Sequence, residues 1–325
     1  MFHAEGQTLA GDHLDLSFSA TERWTRVDPS EGSPPSLWLS LGDAVAGPAV
    51  QLGLCPPVPG TFWLDTHYHA SDQFRATLRG DFHLQRKHMK TGDFGYQVAG
   101  IPYREGLVPG DGEPLWMFAV HGDRRGAPST ITRQDGSFPL GEIGADQLDR
   151  PMPSADDPYW NDVPGGAKGI PALAVASGRK VGGFLWGNFA EAANWQALAE
   201  GVRANIGLFG DRACGPALLT LRADAGHIAI PAQLCASETI LAVVRGSVTI
   251  EGRCYSAGDI RVQRAGAPSA AAIAGGEGAD LVYMIADRRA LPAAGDDATV
   301  TQAWLTAVGD ACGRLADALK EDALA

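Results

Sequence analysis

The chain has 325 residues, 45% of them apolar and 20% charged, with 8 Trp, 11 Phe and 6 Tyr, a globular composition with length enough for two domains. A formal charge of -12 argues against a surface built to neutralise phosphates, and no stretch reaches the roughly 18 uninterrupted apolar residues of a membrane span. Nucleic acid and membrane are therefore set aside as partners.

The 41 Gly and 21 Pro point to many turns between short strands. Five cysteines, an odd number without a CxxC pair, indicate neither a disulfide framework nor a cysteine-rich zinc site. The amino terminus lacks a basic start followed by an apolar run, so a cytoplasmic location is expected.

In chain order, the first recognisable segment is LGDAVAGPA at 41–49. RATLRGDFHLQ then alternates around Gly80 in the period-2 pattern of strands joined at a glycine turn. GDFGYQVAGIPY follows at 92–103, and Asp123-Arg124-Arg125 closes the unit. Residues 127–170 carry many Pro, Gly and Asp without a sustained period and read as a long connector. FAEAANWQALAEGVRANIG at 189–207 reads as a helix.

The next segments repeat the first ones. FGDRACGPA at 209–217 matches 41–49 at an offset of 168, and GDIRVQRAGAPS at 258–269 matches 92–103 at 166. Arg245-Gly246 keeps the 166 offset to Arg79-Gly80, and Asp287-Arg288-Arg289 repeats the earlier triplet at 164. Four collinear anchors, shifted by two residues twice, describe a tandem repeat of strand-rich units with small loop deletions. A second helix is expected over 299–325, and each helix lies outside a repeat unit, where it could cover a sheet edge. The predicted organisation is a first barrel over 1–126, a connector with strand and helix segments over 127–208, a second barrel over 209–290 and a terminal helix over 291–325.

Within the first unit, Gly60, His67-Tyr68-His69, Gln73 and Gly80 are followed by Gly92-Asp93, Gly100 and Tyr103. This order resembles the two motifs of the cupin superfamily, and because the second unit aligns in the same register, the whole chain resembles a bicupin. The resemblance implies an all-β fold of two jelly-roll barrels in tandem with a few covering helices. It also implies a metal site of three His and one Glu on inward-facing strand positions, where an HxH pair shares one face. His67 and His69 keep two of those positions; Gln73 stands in the Glu position and Tyr103 in that of the third His. In the second unit the same positions hold Gln233, Cys235, Thr239 and Ser269, so that barrel is expected to have lost its metal and to be structural.

Gln73 offers a neutral amide oxygen, and Tyr103 a phenolate if a metal lowers its pKa from about 10. Both also stand as catalytic candidates, Tyr103 as proton donor or substrate-orienting hydroxyl. Asp65, which shares strand parity with the His pair, ranks below Tyr103 as a carboxylate ligand. Arg75 and Arg104 flank the site and could hold a substrate anion, although exposed ion pairing is the commoner fate of such residues. Trp63, Trp116, Phe62, Phe74 and Phe118 read first as core. His83 and His88 read as surface residues, His121 and His227 as packed or solvent-facing, and the Asp-Arg-Arg triplets as structural.

The resemblance implies a small-molecule enzyme with one divalent transition metal in the first barrel, Fe(II) ahead of Zn(II), Ni(II) or Mn(II). A dioxygenase, an oxidoreductase with open metal positions for substrate and oxygen, leads over an isomerase, lyase or hydrolase. A metal-free acid-base enzyme and a non-catalytic small-ligand binder are the alternatives. The expected partner is a small organic substrate, an anionic one being open; a homodimer is one open assembly.

Overall fold

A computed structural model describes residues 11–21, 24, 36–43, 47–57, 62–63, 71–84, 87–97, 103, 105–107, 113–122, 179–181, 184–210, 214–294 and 298–322. The connector at 127–170 and the triplet at 123–125 lie outside them. The first half contributes β1 (His13–Ser17), β2 (Ser36–Ser40), β3 (Ala49–Cys55), β4 (Phe62–Trp63), β5 (Gln73–Arg79), β6 (Asp81–Leu84), β7 (Lys87–Lys90), β8 (Asp93–Gln97), β9 (Glu105–Leu107) and β10 (Leu115–His121). Then come β11 (Arg179–Val181), β12 (Phe184–Asn188), β13 (Gln196–Ala199), β14 (Val202–Leu208), β15 (Ala217–Ala223), β16 (Ile228–Ile230) and β17 (Gln233–Leu234). The chain continues with β18 (Thr239–Ile250), β19 (Arg253–Ser256), β20 (Asp259–Gln263), β21 (Pro268–Ser269), β22 (Ala272–Ile285), β23 (Ala293–Ala294) and the helix α1 (Ala298–Asp322).

Strand order identifies the architecture. In the first unit β8-β5-β10-β3 form the centre of one sheet and β4-β9-β6-β7 the other. In the second, β20-β18-β22-β15 repeat the first set, and β16-β22-β18-β19 repeat the second. Every pairing is antiparallel, and the two interleaved four-strand sets are the double Greek key of a jelly roll. The chain is all-β and holds two of them.

Register reproduces the repeat offsets. Ala119 stands opposite Gln51 and Arg75, whereas Tyr283, 164 residues later, stands opposite Leu219 and Leu241, which follow by 168 and 166. The expected turn at Gly80 and Gly246 is a different feature, however. Neither glycine reverses the chain: β18 runs for 12 residues straight through Gly246, with register shifts on both sides, and passes from one sheet into the other. Both glycines have positive φ, which lets the strand bend at that passage.

The two units exchange strands. β1 pairs with β20 and extends the second sheet, while β12 pairs with β8 and extends the first, with His13 opposite Gln263 and Phe184 opposite Gln97. Residues 13–17 thus complete the second barrel's sheet, and β13 and β14, inside the predicted connector, also belong to it. The predicted divisions at 126 and 208 therefore cut across both sheets. Sequence adjacency is a poor guide here, because an edge strand is satisfied by whichever sheet edge its backbone can reach.

The expected helix over 189–207 is a second correction. Only Phe189–Asn194 is helical, as a short 3-10 segment, and Gly201 at φ 65 then links β13 to β14. Val202, Ala204, Ile206 and Leu208 alternate inward along β14, a period of two that alanine-rich composition disguised as helix. The terminal helix is present as expected. Trp304, Val308, Ala311 and Cys312 of α1 are buried against the second barrel, and α1 packs on β13, the edge strand of that sheet.

Burial divides the strands by face. Phe74, Ala76 and Leu78 of β5, Phe94 and Tyr96 of β8, and Phe118 and Val120 of β10 meet Leu218, Ile240, Ala242, Val262, Val282 and Met284 in one core that joins the barrels. Phe74, Trp116 and Phe118 are therefore core, as expected, and the opposite faces of the same strands turn into the barrels.

Candidate active site in the first barrel

Because a strand alternates its side chains, the residues of β5 opposite to Phe74, Ala76 and Leu78 are Gln73, Arg75 and Thr77, all buried inside the first barrel. β8 adds Gln97, β10 adds His121 opposite Gln73, and the segment around β9 adds Tyr103 and Glu105. Thus Gln73 and Tyr103, both predicted, are brought together. His67, His69, Asp65 and Arg104 lie outside the described residues.

Arg75 is the hub. Its Nη1 donates to Gln97 Oε1 at 2.9 Å, and its Nη2 donates to the Tyr103 hydroxyl and lies 2.9 Å from Glu105 Oε1. The guanidinium carbon also sits 4.7 Å from the centre of the Tyr103 ring. The Glu105 contact is an ion pair rather than an aligned hydrogen bond, since Oε1 accepts none among the described residues. Arg75 is 5% exposed, so the expected surface ion pairing is replaced by a buried one. Burial pulls the guanidinium pKa down, but Tyr103 and Glu105 outweigh it and the net direction is upward.

The Tyr103 phenol is moved well up, first by burial; Arg75 and a hydrogen bond from Gln73 pull the other way without reversing it. A fully buried phenol of this kind is a donor at neutral pH and a poor phenolate. Cys55, on the inner face of β3, is pushed up to about 12 by burial and then by Glu105, so it is an inert thiol. His121 is buried and stacked on Trp38 with ring centres 5.1 Å apart.

Sequence reasoning placed Gln73 and Tyr103 here but missed Gln97, Glu105 and His121 and undervalued Arg75. A signal existed for two of them: Arg75 is two residues from Gln73, Glu105 two from Tyr103, and strand parity puts such pairs on one face.

The second barrel provides a control. Gln233 donates to the Tyr283 hydroxyl, which also bonds Thr239, and Gln233 pairs in register with Ser269. Cys235 bonds the Ala290 carbonyl at 3.1 Å, and burial raises its thiol pKa despite bonds from Ser237 that lower it. The four positions equivalent to the predicted ligands therefore lie near one another, as the register requires. Around them three positions have turned aliphatic, Leu241, Val243 and Ile285 standing where the first barrel has Arg75, Thr77 and His121, while Gln263 keeps the position of Gln97 and accepts from a buried Arg261 that also donates to the Tyr255 hydroxyl. Arg288 of the repeated triplet donates to the carbonyls of Phe209 and Pro216, a loop-tying role.

No protein-family model and no curated protein matches the chain. Solved structures with a similar arrangement include salicylate 1,2-dioxygenase from Pseudaminobacter salicylatoxidans, with TM-score 0.46 and 16% identity over 79% of this chain and 77% of that one. A variant of the same enzyme in complex with gentisate has TM-score 0.46 and 14% identity, over 84% and 81%. A variant of oxalate decarboxylase from Bacillus subtilis has TM-score 0.46 and 13% identity, over 86% and 78%. The chain has the architecture of two jelly-roll barrels in tandem. That statement rests on its own strand order and on the repeated register of its motif positions. Among the described residues, no group of three or more His, Cys, Asp or Glu is arranged to hold a metal, and no helix is long and apolar enough to cross a membrane.

Proposed function

We propose that the protein is a small-molecule enzyme of the bicupin type whose reaction takes place inside the first barrel, with a metal-dependent dioxygenase as the leading activity. The supporting observation is the Arg75 cluster of the first barrel, in which one buried guanidinium joins Gln97, Tyr103 and Glu105 beside Gln73 and His121, while the other barrel has Leu241, Val243 and Ile285 at the positions of Arg75, Thr77 and His121. Buried polar groups are costly unless they are used or fully paired, so the arginine and histidine that the first copy buries at positions aliphatic in the second support chemistry in the first.

The fit to a metal is divided between the candidates. Gln73 Oε1 is buried and accepts no hydrogen bond among the described residues, which suits a neutral ligand beside His67 and His69. Tyr103 does not suit that role, because its oxygen already accepts from Arg75 and Gln73 and a guanidinium beside it opposes a second cation. A divalent metal, Fe(II) first and Zn(II), Ni(II) or Mn(II) after it, would supply Lewis acidity and open positions for substrate and oxygen.

The chain's own groups then divide the remaining work. Tyr103 stays protonated and donates to a substrate oxygen; Gln97 and Glu105 fix the Arg75 fork, which sets the direction of the Tyr103 hydroxyl and provides positive charge for a small organic anion. The same arrangement supports acid-base chemistry without a metal, with Tyr103 as the acid. Elemental analysis of untagged protein beside the His67→Ala/His69→Ala variant separates the two. About one equivalent of metal, lost in a variant that stays folded, supports the metalloenzyme; none, after incubation with Fe(II), Mn(II), Ni(II) and Zn(II), leaves the acid-base reading.

A further inference from the structure

Trp116 of β10 stands opposite Leu54 of β3 and Arg79 of β5, and its indole fills one corner of the joint between the barrels. It stacks on Phe18 with ring centres 5.4 Å apart, carries the Arg79 guanidinium carbon 4.9 Å from its ring centre and lies against Gly258, where any Cβ would collide with it. Arg79 in turn pairs with Glu113. The second repeat has the same register and different chemistry: Asp280 of β22 takes the place of Trp116, between Arg222 of β15 and Arg245 of β18. Gly92 stands in the position of Gly258, and the nearest atom to a Cβ there would be Arg245 Nη2, at 3.9 Å. With no indole to fill it, this corner holds a cleft of about 330 Å³ lined by Arg222, Asp224, Arg245, Glu277 and Asp280 and otherwise by Gly and Ala. The cleft lies outside both barrel interiors, because Arg222 and Asp280 share the strand faces of Leu218, Val282 and Met284, which belong to the joint core.

We propose that this cleft binds a small zwitterion of the α-amino acid type, with its carboxylate on Arg245 and its ammonium between Asp224 and Glu277. Arg222 and Asp280 form a closed pair: the guanidinium Nε and Nη2 donate to the two carboxylate oxygens at 2.6 and 2.7 Å, and Asp280 is 3% exposed. Arg245 is the remaining cation. Its side chain is 65% exposed, and its Nε approaches only Asp280, at 3.9 Å, a contact too long for a hydrogen bond and made to a carboxylate already taken. Asp224 and Glu277 make no ion pair among the described residues. One uncommitted guanidinium therefore stands with two uncommitted carboxylates. A simple anion is repelled by the acids and a simple cation by the arginines, whereas a molecule with both charges meets a partner for each. The glycine and alanine lining adds little apolar grip, so charge pairing carries the recognition, and Gly246 and Gly278, both at positive φ, keep larger side chains out of the cleft.

Titration calorimetry on the full chain at low ionic strength tests the assignment, with L-alanine and L-glutamine as probes and acetate and ethylamine as their half-molecules. Saturable binding of either amino acid is expected, with each half-molecule bound at least tenfold more weakly. Arg245→Gln, and separately Asp224→Asn/Glu277→Gln, should each weaken amino acid binding at least tenfold. All three residues are exposed, so these variants are expected to keep the parent's urea midpoint. Arg222→Leu/Asp280→Trp, which copies the filled corner of the first repeat, should abolish binding; if that variant does not fold, the two exposed-residue variants decide the question. Absence of saturable binding for both amino acids, acetate or ethylamine bound as tightly as the amino acids, or binding unchanged in either exposed-residue variant would overturn the site while leaving the barrel reading untouched.

Discussion

Asp72 Oδ2 accepts the backbone N–H of Gly210 at 3.1 Å, and Glu238 Oε2 accepts that of Gly42 at 2.9 Å. These residues are equivalent in the two repeats, so each barrel grips the Gly-Asp turn of the other with a carboxylate placed just before its central strand. The repeated Gly-Asp pairs, visible in the sequence as turns, are thereby explained as a reciprocal clasp. Gly42 and Gly210 both have φ near +70°, and a Cβ on Gly210 would collide with the Gly122 backbone. Asp72 is committed to this contact and does not enter the site beside Gln73.

The clasp should matter to stability more than to chemistry. Asp72→Ala and Glu238→Ala are each expected to cost about 1–2 kcal/mol, the loss of a charge-assisted bond to a partly buried N–H. Gly210→Ala should cost more than Gly42→Ala, where the nearest atom to a new Cβ is the Ala286 side chain at 3.3 Å. Urea denaturation of the four variants checks the order.

Removing the hub should separate fold from function. Arg75→Met leaves Glu105 buried without its cation, at about 3–5 kcal/mol. Arg75→Met/Glu105→Leu should recover most of that stability but no turnover. Arg75→Lys should also fail, since one ammonium cannot serve Gln97, Tyr103 and Glu105 together. Recovery of activity in the double variant would exclude Arg75 from the site.

Tyr103→Phe distinguishes ligand from acid. The variant is expected to keep its metal and to lose turnover by about 10²-fold or more, as for removal of a proton donor. Loss of metal from a folded Tyr103→Phe protein would restore Tyr103 as a ligand.

The second barrel should be silent. Cys235→Ser is expected to leave activity and metal content unchanged, since its sulfur is engaged with the Ala290 carbonyl. A drop in either would place chemistry there.

Alkaline pH should weaken the fold. Cys55 is raised from 9.0 to about 12, first by burial, and burial likewise raises Tyr96, Tyr103 and Tyr283. A raised folded-state pKa means that the native chain holds protons the unfolded chain has released, so stability is intact below about pH 9 and declines above it. Cys55→Ala should flatten the part of that decline between pH 9 and 12, as followed by chemical denaturation at stepped pH.

The sequence alone determined the repeat, the all-β class, the register of the motif positions and the absence of the His pair from the second copy. These depend on spacing along one strand or between collinear segments, which a linear chain records directly. It also carried, unread, the parity that puts Arg75 beside Gln73 and Glu105 beside Tyr103. Only the tertiary structure decided which sheet receives β1 and β12, that 196–208 is a hairpin rather than a helix, and that Arg75 is sealed inside a barrel. Each of those is a long-range choice: an edge strand pairs where an unpaired backbone is within reach, and an arginine is buried only where other segments bring it a carboxylate, an amide and a phenol.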